Sequence, residues 1–313
     1  MKVGIVGMGG VGAATAMALL GRARISDLML VNRNRARAKG VATDMRYGAP
    51  LCGPITIKDG DYADLAGAAA VIVTAGVNEK AGGATDRSDP AGRLRLLGPN
   101  SKVYEEIIPP VVAAAPQAVI VVATDPPDPL VEVARRLARH ESVIGTGTYL
   151  DSLRFRVHLA RRLGVSAAAV DAYVVGEHGT SSVFLWSLVK VGGRSVEKIV
   201  AERGIPFDDF RQNVEREVRF ANISIIEGIG ASQYGIGIVS ARLAEAIAAD
   251  ERAVFPVASH IAGFGVSLSL PSVLGQRGVL DVLTPDMSEE ELRALEHSAE
   301  RLRDALAKSR TGQ

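Results

Sequence analysis

Val3-Gly4-Ile5-Val6-Gly7-Met8-Gly9-Gly10-Val11-Gly12 stands almost at the start of the chain, and how it is read decides the fold. An apolar run of strand type passes directly into GxGxxG, and residues 13–20 beyond it have helical composition. Strand, glycine turn and helix in that order make the first unit of a parallel βαβ sheet. Each glycine has its own mechanical task. Gly7 permits the tight turn, Gly9 lets the backbone approach a pyrophosphate, and Gly12 lets helix and strand pack closely, with the helix N-terminus facing the phosphate charge. Gly7, Met8, Gly9, Val11 and Gly12 are therefore expected to hold a dinucleotide.

Working outward, residues 28–31, 71–74 and Val119–Val122 repeat the β-type run, with Ala-rich or charged stretches such as 35–45 between them. Residues 143–144 read as the last strand, and Pro109-Pro110 should kink or stop a helix. After Gly145 the grammar changes. A helical segment over Tyr149–Leu163 precedes short runs at 170–175 and 184–191, and long helical stretches follow at 207–227 and 241–249. An amphipathic surface helix is predicted over 289–306, with Ser288 as its N-cap. The expected class is α/β: a Rossmann doubly wound parallel sheet over residues 1–147, then a mixed α+β catalytic domain over 148–313.

Composition agrees with two lobes. In 313 residues, 47% apolar, 36 basic side chains balance 35 acidic ones, so a large core is available and charge points to neither nucleic acid nor membrane. No apolar stretch reaches the roughly 20 residues that a membrane helix needs. The opening apolar run is too short for a signal-peptide core, and a cytoplasmic address is expected. The single cysteine, Cys52, excludes an internal disulfide framework and a Cys-rich metal site, and no metal is expected.

The second strand should end near a carboxylate that bonds the adenosine ribose, but this chain reads Val31-Asn32-Arg33-Asn34-Arg35. Asn32 can bond a ribose hydroxyl, yet it does not repel a 2′-phosphate, and Arg33 or Arg35 could attract one. The cofactor is NAD or NADP, with NADP favoured; the bland alternative makes both arginines solvated surface charges. Between Gly76 and Arg93 lies a Gly-, Asp- and Pro-rich segment without apolar periodicity, long enough to be a lid or binding loop.

Leu150-Asp151-Ser152-Leu153-Arg154 places Asp151 and Arg154 three apart on one helical face, and Gly176-Glu177-His178-Gly179 follows a predicted strand. Singly, each residue reads equally well as a cap, a surface fork or a turn histidine. Together they read as a functional pair. Hydride arriving at a carbonyl carbon builds negative charge on oxygen, which an imidazolium and a guanidinium neutralise together, while a planar fork matches an α-carboxylate bidentately.

At these residues the chain resembles the lactate and malate dehydrogenase family, nearest its L-lactate and L-2-hydroxyisocaproate branch. GMGGVG, Thr74-Ala75-Gly76, IGTGTYLDSLRFR from Ile144 and GEHG from Gly176 carry the likeness over nearly the whole length. The resemblance implies an NAD(P)-dependent L-2-hydroxy acid dehydrogenase with a small 2-oxo or 2-hydroxy acid as substrate. It makes His178 the proton donor and acceptor, Asp151 its stabiliser, Arg154 the carboxylate anchor, and Arg93 the residue polarising the carbonyl, with Arg87 and Arg95 as rivals. Thr74, Ala75 and Gly76 would join the cofactor site, and a homodimer or homotetramer is expected.

Three positions depart from or refine the pattern. Asp125 stands where the family carries an asparagine after the fifth strand. Glu79 falls where malate enzymes show an arginine, which disfavours a dicarboxylic substrate, although Lys80 or Arg87 could reach inward and malate dehydrogenase stays the alternative. Ser232 matches a pocket-lining threonine. Two other readings remain: an NAD-dependent glycosidase, which needs a cysteine-held metal for which Cys52 is badly placed, and an impaired dinucleotide-binding regulator, for which Asn32 and Asp125 would be the first signs.

Overall fold

A computed structural model describes residues 1–78, 80–81, 86 and 92–311; Glu79 and Arg87 lie outside the described residues. Its first half alternates β1 (Lys2–Val6), α1 (Gly10–Arg22), β2 (Asp27–Val31), α2 (Arg35–Gly48), β3 (Thr56–Gly60), β4 (Ala70–Val73), α3 (Leu97–Ala114), β5 (Val119–Val122), α4 (Pro127–Ala138) and β6 (Val143–Gly145). These six strands are parallel, in the order 3-2-1-4-5-6. Such a sheet is covered on both faces, which is why β4 and β5 are apolar at every position. Alternate residues divide between two cores. Val3, Ile5, Leu28, Leu30 and Ile72 pack with α1 on one face, and Val6, Val71, Val73, Ile120 and Val122 pack with α3 and α4 on the other. Each fully buried Leu or Ile in such a layer contributes about 1.5–3 kcal/mol.

The second half continues with α5 (Tyr149–Leu163), the short strands β7 (Val170–Asp171), β8 (Val174–Val175), β9 (Val183–Phe184), β10 (Lys190–Val191) and β11 (Arg194–Ser195), then α6 (Val196–Glu202), α7 (Phe207–Arg219), α8 (Ala221–Ile229) and α9 (Tyr234–Ala248). It ends with β12 (Ala253–Ile261), β13 (Val266–Gly275), β14 (Gly278–Val282) and α10 (Glu289–Thr311). The last three strands are antiparallel and join the edge of β6, so one nine-stranded sheet runs through both halves. Helix α9 belongs by sequence to the second half, yet its Val239, Leu243 and Ile247 sit in the core beside α1. That seat carries Ser232 and Gln233, just ahead of α9, to the glycine turn of the first half.

Pro109 and Pro110 lie inside α3, one of the two places expected for them, and do not stop it: the helix continues to Ala114, because Tyr104, Ile107, Ile108 and Val111 are buried against the sheet and outweigh the lost backbone bonds. The stretch 207–227 divides at Phe220 into α7 and α8. At α10, Ser288 Oγ accepts from Glu291 N at 3.2 Å while Glu291 Oε2 accepts from Ser288 N at 2.9 Å, a reciprocal capping box. Among the described residues no helix is long and apolar enough to cross a membrane.

Candidate active site

The chain reverses its strand order between β1 and β4, and open sheets of this kind bind ligands at the carboxyl ends of the strands flanking that point. The glycine turn after β1 lies there. Gly7 takes φ +105°, a region that side chains rarely adopt, and a Cβ on Gly12 would collide with the Gly7 carbonyl oxygen. Thr74 Oγ1 donates to that same carbonyl at 2.8 Å, tying the end of β4 to the turn. Met8 N donates to Asn32 Oδ1 at 2.9 Å, and Arg37 Nε donates to the Met8 carbonyl. The turn is thus a narrow backbone cradle at the start of α1, and its shape and exposed amides fit a pyrophosphate.

Asn32 also donates to the Asn34 carbonyl at 2.9 Å, so both ends of its amide brace the turn. Arg35 pairs with Asp61 at 2.5 Å on an exposed surface, and Arg33 is exposed with no ion partner among the described residues. Arg37 was not singled out from the sequence. Its neighbours in the run, Arg33 and Arg35, carry the same charge, and nothing in spacing distinguishes the one that reaches Met8.

A cavity of about 240 Å³ opens from this cradle into the second half. Gly9, Gly10, Val11, Thr74 and Gly76 line it on one side, and Arg93, Asp125, Arg154, His178 and Ser232 on the other. Lys80 lines it too, whereas Arg95 does not. Buried Asn100 braces the wall: its Oδ1 accepts from Val77 N at 2.6 Å, and its Nδ2 donates to the Asp125 carbonyl at 2.6 Å. Gln233, which lines the cavity, and Asn100, which braces two residues that do, were both missed by sequence reasoning.

His178 sits between charges. Its Nδ1 hydrogen-bonds Asp151 Oδ2, and its Nε2 faces Arg93 Nη1 in direct contact. With the Nδ1–H donating to the carboxylate, Nε2 is the acceptor toward Arg93 and the cavity. Arg154 Nη1 donates to Asp151 Oδ1 at 3.1 Å, so one carboxylate aligns both the imidazole and the guanidinium. All four side chains are at most 12% exposed.

Burial alone would push the Asp151 carboxyl up, but the His178 imidazole, its hydrogen bond and the Arg154 guanidinium hold it well below the usual carboxylate range. Stability from this pairing is present above the ordinary carboxylate pKa and is lost only as pH falls into strongly acid conditions. Burial lowers Arg154, and Arg93 beside it adds to that, while Asp151 works against both. Asp125 Oδ1 lies 3.8 Å from both Arg93 Nη1 and His178 Nε2, so a second carboxylate borders the reacting space. Such an arrangement can place a proton and two guanidinium forks on one small anionic molecule.

Among the described residues there is no group of three side chains able to hold a metal, and Cys52 is half-buried against the core away from the cavity. Comparison with known proteins agrees with the geometry. Residues 1–145 match the model of the lactate/malate dehydrogenase NAD binding domain, and residues 148–311 match the alpha/beta C-terminal domain of the same family. An L-lactate dehydrogenase of Thermus aquaticus is 44% identical, with 97% of this chain and 98% of that protein covered. One of Chloroherpeton thalassium is 42% identical, covering 98% and 99%. Two solved structures superpose with a TM-score of 0.90 at 30% identity, each covering 98% of both chains. They are a lactate dehydrogenase from a deep-sea metagenome library and the minor L-lactate dehydrogenase of Enterococcus mundtii.

Proposed function

Because the chain belongs to the lactate/malate dehydrogenase family, we propose that it is an NAD-dependent L-2-hydroxy acid dehydrogenase of the lactate type. The observation that carries the reading is His178 held by Asp151 on one ring nitrogen and facing Arg93 and the cavity with the other. When bound, the nicotinamide supplies or accepts the hydride. Arg154 clamps the substrate carboxylate with its planar fork, which fixes the carbonyl face presented to the cofactor. Protonated at Nε2, His178 gives its proton to the oxygen as charge develops there, and Arg93 neutralises the same charge. In the reverse direction Nε2 takes the hydroxyl proton, and Asp151 stabilises the resulting imidazolium. This assembled set argues against an inactive regulator.

Following NADH absorbance with a panel of 2-oxo acids tests the reading. Turnover with linear or branched monocarboxylic acids is expected; no turnover with any member of the panel would overturn it. Asp125 bears on the choice of acid, since an anion at this place opposes a substrate carrying a second carboxylate, as malate does. The same charge opposes any substrate carboxylate, by about 1–2 kcal/mol for like charges separated by a few ångströms in a partly solvated site. Asp125→Asn is therefore expected to lower the oxo-acid KM by about tenfold. A raised KM in that variant would show that the carboxylate is used for binding.

On the cofactor, NAD binding is the family's property, and we extend the reading to NADP through Arg33. The surface pair of Arg35 with Asp61 is worth at most about 1 kcal/mol, so Arg35 can also turn to a 2′-phosphate. The kcat/KM for NADPH should lie within about tenfold of that for NADH, since a charge-assisted fork replaces the missing ribose carboxylate. A hundredfold preference for NADH would end the extension.

A homodimer or homotetramer accords with apolar side chains exposed at i,i+4 spacing on consecutive helices, Ile225 with Ile229 on α8 and Tyr234 with Ile238 on α9. Light scattering after size exclusion should give two or four times 32.9 kDa, and a monomeric mass would refute it. A lone cysteine accords with a reducing, cytoplasmic compartment.

A further inference from the structure

The loop that carries His178 is held by three consecutive backbone N–H groups, each given to a different element. Gly176 N donates to the Ser269 carbonyl on β13 at 2.8 Å, and Glu177 N donates to Ser298 Oγ on α10 at 2.8 Å. His178 N donates to Asp128 Oδ2 in the first turn of α4 at 2.7 Å. Only the third acceptor is a carboxylate, and Asp128 is completely buried. Its other oxygen accepts from Ser269 Oγ at 3.3 Å, and that hydroxyl in turn accepts from Thr148 N at 3.0 Å. Thr148 is the residue before α5, one turn ahead of Asp151.

We propose that Asp128 is a positioning residue for the dehydrogenase reaction: its carboxylate fixes the backbone of His178 and ties it, through Ser269, to the start of the helix that carries Asp151 and Arg154. The inference rests on the function proposed above. Asp128 does not line the cavity, so it touches neither substrate nor cofactor there. The imidazole, by contrast, must meet Asp151, Arg93 and a reacting oxygen at once, and His178, Asp151 and Arg93 come from three separate segments. A chain of hydrogen bonds from α4 through β13 to α5 gives the catalytic loop and the Asp151 helix one common reference.

Retaining an acid in this place is unfavourable for the fold. Burial, opposed by the His178 imidazole and its backbone hydrogen bond and reinforced by Glu177, pushes the Asp128 carboxyl up to about 7. An apolar residue would avoid that penalty but would leave the His178 N–H unpaired. Above that value the bond to the backbone amide is charge-assisted, and such bonds are among the stronger ones available.

The test uses the full chain with NADH and a 2-oxo acid that the wild type turns over; if the wild type turns over none, the functional reading fails before this one is addressed. Asp128→Ala should lower kcat by about tenfold or more, in line with the sensitivity of such steps to small displacements of a reacting group. The Kd for NADH, read by fluorescence, should change by less than about twofold, because the cradle lies outside this network. Asp128→Asn keeps an oxygen acceptor for the His178 N–H and should restore kcat to within about threefold of the wild type, where a lost bulk effect would not be restored selectively. Should Asp128→Ala not fold, Ser269→Ala cuts the same chain at its middle and should lower kcat by about threefold with KM unchanged. A kcat for the folded Asp128→Ala protein within twofold of the wild type, an Asp128→Asn variant as slow as the alanine one, or an unchanged kcat in Ser269→Ala would each overturn the proposal.

Discussion

Asparagine in place of His178 is expected to reduce kcat by about 10³-fold, within the 10²–10⁴ range that a positioned acid/base contributes. The replacement is chosen for what it keeps. Its amide nitrogen can donate to Asp151 as the Nδ1–H does, so the buried carboxylate is not left without a partner. What it removes is the ring nitrogen on the cavity side, next to Arg93. Because the cofactor cradle is built from the glycine turn and the ends of β1 and β4, the Kd for NADH should stay within about twofold. Pre-steady-state mixing gives the decisive reading: a hydride-transfer step slowed together with kcat agrees with the assignment, and a kcat within tenfold of the wild type contradicts it.

Arg154→Lys should act on binding instead. Lysine retains one positive charge near Asp151 but presents a compact ammonium where the guanidinium offers two parallel donors. Loss of one charge-assisted hydrogen bond to the substrate carboxylate, about 1.5–3 kcal/mol, corresponds to a KM for the oxo acid raised by about tenfold to a hundredfold or slightly more. The Kd of oxamate, an unreactive isostere of pyruvate, should rise in parallel while the Kd of NADH does not. Equal affinities for oxamate in the two proteins would remove Arg154 from the anchoring role. With only 11% of its side chain exposed, Arg154 also packs the cavity wall, so a thermal melt of the variant should accompany the kinetics.

How much of this was readable in the chain follows from where each feature's partners lie. Strands β1, β2, β4 and β5 are buried on both faces, and a strand so placed announces itself as an unbroken apolar run. Strand β3, an edge with Lys58 and Asp59 on it, carries no such run and gives no signal. The β12–β13 hairpin is equally quiet, since β13 buries Ser267, Ser269 and Ser272, polar residues whose hydroxyls are satisfied inside the fold. Asp151 and Arg154 declare themselves because a helix makes positions three apart neighbours. Asn100 and Asp128 do not, since the groups they hold are 23 to 50 positions away and no local pattern encodes the meeting. Helix α3 shows the opposite limit, where a strong local stop signal, Pro109-Pro110, yields to tertiary burial.

The shared sheet has a consequence for dissection of the molecule. Severing the chain after residue 147 would strip the outer strands from β6 and take α9 away from α1, baring an unpaired edge on one side and the apolar surface around Leu19 on the other. The nucleotide-binding portion is thus a lodger in a house whose far wall it does not own, and any split, swapped or permuted version should be cut at a surface turn that leaves this wall standing.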